Sequence, residues 1–117
     1  MPESTTFANT TTRDEHHVSH GLEVGSTTSE DYEEKARSLL NASLVDSPDI
    51  EEGIRPNGQI LRYNKISNEF AAMYPTGTIK TYFKPMRRCD APPGYPTRNT
   101  HWAASNYDYF LRECRRP

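Results

Sequence analysis

No apolar run in this chain approaches the ~20 residues that a membrane-spanning helix needs, so no membrane partner is expected. The first dozen residues, MPESTTFANTTT, lack the basic and apolar regions of a secretory signal. They also lack hydrophobic periodicity, so residues 1–12 read as a disordered polar tail. Cysteine is scarce. Cys89 and Cys114 allow one disulfide at most, which argues weakly for an oxidising compartment, and two free thiols suit the composition as well. Apolar residues make up only 33% of 117 residues, enough for one domain with a small core.

What is present is asymmetric in charge. Residues 1–53 carry twelve Asp or Glu against three Lys or Arg, a net of −9. Residues 54–117 carry four against eleven, a net of +7, and the two sum to the formal −2 of the whole. A basic half is the electrostatic footprint of a polyanion binder. The same asymmetry also suits an acidic helical half that packs on a basic sheet and neutralises it, and the sequence leaves both readings open.

Residues 58–85, GQILRYNKISNEFAAMYPTGTIKTYFKP, read as three short strands joined by tight turns, an antiparallel meander. Residues 51–56 add a short edge strand that stops at Pro56, before the hairpin signal Asn57-Gly58. Ahead of this sheet, Thr28 can cap a helix running to Asn41, with acids in its first turns and Tyr32, Ala36, Leu39 and Leu40 on one stripe. Residues 13–23 suggest a further helical turn stopped at Gly21. Residues 86–105 are a loop by composition. Residues 106–114 form a short closing helix with Tyr107, Phe110 and Leu111 on one face, followed by a frayed basic tail at Arg115-Arg116. The expected fold class is α+β: N-terminal helices packed on a small antiparallel sheet of three to four strands, then a short C-terminal helix, all in one domain over residues 13–115.

Two stretches have chemical potential. Strict alternation over residues 78–84 sends Ile79, Thr81 and Phe83 to the core face, and Lys80, Tyr82 and Lys84 to the other. Thr81 is then a hydroxyl between apolar neighbours, either bonded structurally or at the rim of a site. Lys80-Tyr82-Lys84 interleaves cations with an aromatic, as nucleic-acid surfaces do and as many soluble sheets also do. The second stretch is His16-His17-Val18-Ser19-His20, where His17 and His20 share one helix face. No further ligand stands at metal-site spacing. On spacing alone these histidines are better read as solvated surface residues.

Three motifs carry a resemblance to a known family: His17-Val18-Ser19-His20-Gly21 followed by the acidic helix with Tyr32 and Leu39-Leu40; Arg55-Pro56-Asn57-Gly58, Asn68-Glu69-Phe70 and the run from Gly77 through Thr81-Tyr82-Phe83-Lys84-Pro85; and Gly94-Tyr95-Pro96-Thr97 with Asn106-Tyr107-Asp108-Tyr109-Phe110. Over roughly residues 14–114 the chain resembles the C-terminal ribonuclease toxin domains of bacterial polymorphic and contact-dependent inhibition toxins, in the fold group of barnase, the EndoU-like enzymes, colicin tRNases and RelE. It departs from them by an added segment, RNTHWAAS, before Asn106.

The resemblance implies a metal-independent endoribonuclease. RNA is cut by 2′-OH attack to leave a 2′,3′-cyclic phosphate, with tRNA the favoured substrate and no cofactor. Such a reaction needs an acid and a base, and donors for the charge that builds on phosphate. Histidine, with an unperturbed pKa of ~6.5, suits the first two roles. The candidates are His17 and, more strongly, His20. Arg62, Lys80 and Lys84 are candidates for holding the phosphate, Thr81 for bonding to it, and Tyr109 for stacking or proton donation. Arg55, Tyr82 and Asn106 complete the substrate-binding set. The resemblance also implies action in a cytoplasm after secretion or delivery as part of a toxin system, and an acidic immunity protein as partner. The rival readings are a non-catalytic nucleic-acid or protein-binding domain on the same scaffold, and a metal-dependent hydrolase built on His16, His17 and His20.

Overall fold

The computed structural model describes residues 5–95 and 100–116. Helix α1 spans Thr10–Val24 and opens where the Asn9 side chain accepts the Thr12 N–H at 2.8 Å. It runs through Gly21, against the expected stop there, and ends three residues later, at Val24. Gly25 is left-handed (φ 75°) and its N–H closes on the Gly21 and Leu22 carbonyls. Gly21 is instead a point of close approach: a Cβ there would lie 2.6 Å from His17 Nδ1 and 3.2 Å from Ser26 Oγ. Helix α2 (Ser29–Asn41) is capped by Thr28, whose Oγ1 accepts the Asp31 N–H at 3.0 Å. Its stripe of Tyr32, Ala36, Leu39 and Leu40 is buried throughout, as the periodicity requires.

Four strands follow, β1 (Ile50–Ile54), β2 (Ile60–Asn64), β3 (Glu69–Met73) and β4 (Ile79–Phe83), in one antiparallel meander of order β1-β2-β3-β4. The fold is α+β, with the N-terminal helices packed on the sheet. Strand alternation splits its side chains into two layers. Ala71, Met73, Ile79 and Tyr82 pack with Phe7 and the stripes of α1 and α2. Leu61, Tyr63, Phe70 and Ala72 pack on the opposite face with Phe110 of α3 (Asn106–Arg115).

One irregularity governs β4. Ala72 pairs with Thr81 and Met73 with Ile79, so Lys80 is an extra residue, a β-bulge. Strict alternation would put Ile79 and Thr81 on one face. The bulge instead turns Ile79 to the helical face with Tyr82, while Lys80 and Thr81 both open on the α3 side. The face assignment read from sequence is corrected for Ile79, Lys80 and Tyr82.

The segment read as a tail is also corrected from Thr5 onward. Thr5 and Phe7 are buried, and the Ile79 N–H donates to the Thr6 carbonyl at 2.7 Å, which covers the start of the free β4 edge. The Phe7 N–H donates to Glu33 Oε2 at 3.0 Å, and Arg37 Nε donates to the Thr5 carbonyl at 2.9 Å. Residues 1–4 of the expected tail, and Pro96-Thr97 of the third motif, lie outside the described residues. Within the stretch read as loop, β5 (Met86–Arg87) pairs in parallel with β6 (Thr100–His101). No helix among the described residues is long and apolar enough to cross a membrane.

Both thiols are free. Cys89 is exposed, and Cys114 packs from α3 onto β1 at Gly53. A Cβ added to Gly53 would overlap Cys114 Sγ and lie 3.1 Å from Cys114 Cβ. Gly53→Ala is therefore expected to lower the unfolding free energy by about 1–3 kcal/mol through overpacking, and Cys114→Ala in the same chain to restore much of it. Urea denaturation of the two variants checks this. Equal loss in single and double variants would show that α3 does not press on β1 at this point.

Candidate functional site

Between β4 and α3 lies a cleft of about 250 Å³ lined by Arg55, Lys80, Thr81, Phe83, Tyr109, Glu113 and Arg116, with Phe70 and Ala72 behind them. Its position follows from local features. The β1–β2 turn carries Arg55, where the Arg55 N–H closes on the Gln59 carbonyl at 2.8 Å. The bulge delivers Lys80 and Thr81 together. On α3, Tyr109 and Glu113 are four residues apart and share the face that looks at the sheet.

The polar wall is a connected cluster. Arg55 Nε donates to the Glu113 carbonyl at 2.7 Å, Nη2 to Glu113 Oε1 at 2.9 Å and Nη1 to Gln59 Oε1 at 2.6 Å. Lys80 Nζ donates to the same Gln59 oxygen at 3.1 Å. Arg116 Nη1 donates to both Glu113 oxygens, at 3.2 and 3.1 Å, so the terminal arginine read as frayed is tied to the cleft. Three cations against one carboxylate leave a formal +2. The crowding registers on Lys80, whose ammonium pKa is lowered by desolvation first and then by Arg55 and Arg116, against the pull of Glu113. An anion entering the cleft would relieve that crowding.

Two hydroxyls face the same space. Those of Thr81 and Tyr109 make no hydrogen bond to protein among the described residues, so both are free to donate. Burial, with Glu113 nearby, pushes the Tyr109 phenol up to about 12, while Arg116, Arg55 and Arg112 work in the other direction. Its ring is stacked on His101 at 4.5 Å. His101 is buried and bonded at both nitrogens: Nδ1 accepts the Ala103 N–H at 3.2 Å, so Nε2 carries the proton it donates to Asn106 Oδ1 at 2.7 Å. The histidine thus orients Tyr109 and is itself held by Asn106.

Of the residues selected from sequence, Arg55, Lys80, Thr81 and Tyr109 line this one cleft, and Asn106 stands one step behind Tyr109. The others lie elsewhere. Arg62 is on the helical face, where Nη1 donates to the Leu39 and Ala42 carbonyls at the end of α2 (3.1 and 2.6 Å) and Nε to Glu52 at 2.9 Å. It closes a helix terminus. Tyr82 is fully buried against Tyr32, with its hydroxyl donating to Glu69, so it offers no surface for a base. His17 is on α1, against the Tyr32 ring and Ser26 Oγ. His20 reaches the β4 edge: its ring lies 5.4 Å from that of Phe83, whose other contacts are Phe70 and Tyr109 on the cleft side. His20 Nδ1 donates to Glu23 Oε1 at 2.9 Å, which leaves Nε2 as the open position in the neutral ring. Glu23 Oε2 in turn accepts the Lys84 N–H at 2.8 Å, fixing the dyad to the end of β4. Among the described residues the Lys84 ammonium has no ion pair and no three His, Cys, Asp or Glu side chains form a metal-binding group.

Sequence reasoning missed Glu113 and Arg116, and gave His101 little weight because it lies in the added segment. The spacing of Tyr109 and Glu113 was the available signal for the first, and nothing in the sequence pointed to Arg116. The charge asymmetry also becomes clearer. Among the described residues no acid of α1 or α2 forms an ion pair with a cation of the basic half; the pairs that cross run from β1, Glu52 to Arg62 and Glu51 to Lys65. The cleft cations are met by Glu113 alone. No protein-family model matches the chain, and no curated protein matches it significantly.

Two measurements separate scaffold from site. Arg62→Met, which strips the donor from two α2 carbonyls and the partner from Glu52, should cost about 2 kcal/mol in urea. Lys80→Met removes a crowded like charge and should change stability by under about 0.5 kcal/mol in either direction. For Tyr109 the sign runs against alkali. From pH 10, where an unperturbed phenol ionises, to about 12, the unfolded chain has lost a proton that the folded chain keeps, so stability falls as pH rises through that window. Tyr109→Phe should flatten part of that fall.

Proposed function

We propose that this protein is a metal-independent endoribonuclease of the toxin type, and that the cleft between β4 and α3 receives the scissile phosphate. The observation that carries the reading is the meeting of Arg55, Lys80 and Arg116 with two unpaired hydroxyls, Thr81 and Tyr109, in one small cleft. That is a site with excess positive charge and donors for the equatorial oxygens of a phosphorane. His20 is the acid–base group. Glu23 fixes its Nδ1, and its Nε2 serves a substrate that crosses the β4 edge at Phe83. The base takes the 2′-OH proton, the 2′-oxygen attacks the adjacent phosphorus, and the 5′-oxygen leaves with a proton, giving a 2′,3′-cyclic phosphate. The resemblance favours tRNA as substrate, action in the cytoplasm of a cell the protein is delivered to, and an acidic immunity protein. Such an inhibitor would satisfy the same cations.

Incubation of the purified protein with total tRNA in EDTA tests this. Discrete cleavage ending in 2′,3′-cyclic phosphate is expected, reduced about 10²-fold or more in His20→Ala. Lys80→Met should weaken cleavage while the fold persists by circular dichroism. Intact tRNA at micromolar protein would sink the reading, and RNA retained without cleavage would favour the non-catalytic binding domain.

A further inference from the structure

The residue after His101 is Trp102, the only tryptophan of the chain, and it is 77% exposed. An indole held in water on an ordered turn is unusual, because a ring of that size contributes most when covered. The turn is built. The Ala103 N–H is bonded to His101, Arg87 Nη1 donates to the Ala104 carbonyl at 3.0 Å, and Ser105 caps α3 through the Asp108 N–H at 3.0 Å. Arg88 stands over the indole with its guanidinium carbon 5.4 Å from the ring centroid. His101, the last residue of β6, turns inward to stack on Tyr109, which lines the cleft, while Trp102, just past the strand, stands in solvent.

We infer that Trp102 with Arg88 is a stacking platform for an unpaired nucleobase of an RNA strand whose phosphate occupies the neighbouring cleft. Three features select this occupant. The exposed indole offers a π-face of the kind common to all bases, Arg88 adds a cation beside it, and the platform is joined to the positively charged cleft by its chain neighbour His101, whose ring stacks on Tyr109. An acidic protein would use the cations but has no need of the indole. The inference rests on the RNA reading above and names where that RNA is gripped beyond the reacting phosphate. Trp102 lies in the added segment by which the chain departs from the family it resembles.

Because Trp102 is the sole tryptophan, its emission reports on the platform directly. The probe is an unstructured 2′-O-methyl oligonucleotide, whose blocked 2′-oxygen prevents cleavage, and polyglutamate is the control polyanion without bases. The oligonucleotide is expected to quench the emission saturably and polyglutamate to leave it unchanged. Trp102→Ala should weaken binding in a filter assay roughly tenfold or more, and Trp102→Phe less. On unmodified RNA, Trp102→Ala should raise KM more than it lowers kcat. Oligonucleotide binding with unchanged emission and equal affinity in Trp102→Ala would overturn the platform and leave the ribonuclease reading standing, since cleavage is scored separately. Equal quenching by polyglutamate, or no binding of the oligonucleotide at all, would overturn it as well.

Discussion

One extra residue in β4 decides what the two faces of the sheet carry. The bulge at Lys80 resets the alternation, so that Ile79 and Tyr82 can both enter the layer under α1 and α2 while Lys80 and Thr81 emerge side by side on the opposite face. Without it, either Ile79 or Tyr82 would leave the core, because a slip of one residue inverts every side chain. Tyr82 is at the centre of that layer: its carbonyl accepts the Tyr32 hydroxyl, and its own hydroxyl reaches Glu69. The same local disruption that seats the core therefore supplies two of the groups of the cleft. Bulges recur beside sites for this reason, since they re-aim a side chain at little cost to the rest of the ladder.

The layer that holds the molecule together and the layer that holds the cleft are kept apart electrically. Arg62, on the helical face, directs Nη1 to the end of α2 and Nε to Glu52. Arg55, on the α3 face, is equally buried yet belongs to a cluster with more cations than carboxylates. Both are buried arginines from neighbouring segments, and only their partners separate a helix clamp from a ligand-facing group. The N-terminal segment at Thr6 and the Glu23 contact at Lys84 cover the two ends of the β4 edge.

Local signals carried much of the fold. The α2 stripe, its Thr28 cap and the β-rich runs of residues 58–85 each state their structure within a window of a dozen residues, and each is present in the molecule. Gly21 misled because glycine at a helix end and glycine at a close helix contact look the same in sequence; here it gives room to the His17 ring. Thr5 and Phe7 misled because their value lies in contacts with Glu33, Arg37 and Ile79, far along the chain.

Sequence alone determined helix α2, the closing helix, the antiparallel meander, their order and the concentration of positive charge in the second half. These depend on periodicity, capping and composition, which act between near neighbours. Tertiary structure decided which arginine is clamp and which is site, that Tyr82 is core, that Glu113 and Arg116 join Lys80, and that His101 lies beneath Tyr109 while Trp102 stands in solvent. Each of those depends on a register or a bulge, and on which face of the sheet a side chain meets. A single unpaired residue at Lys80 changes that outcome while leaving the local pattern of β4 intact.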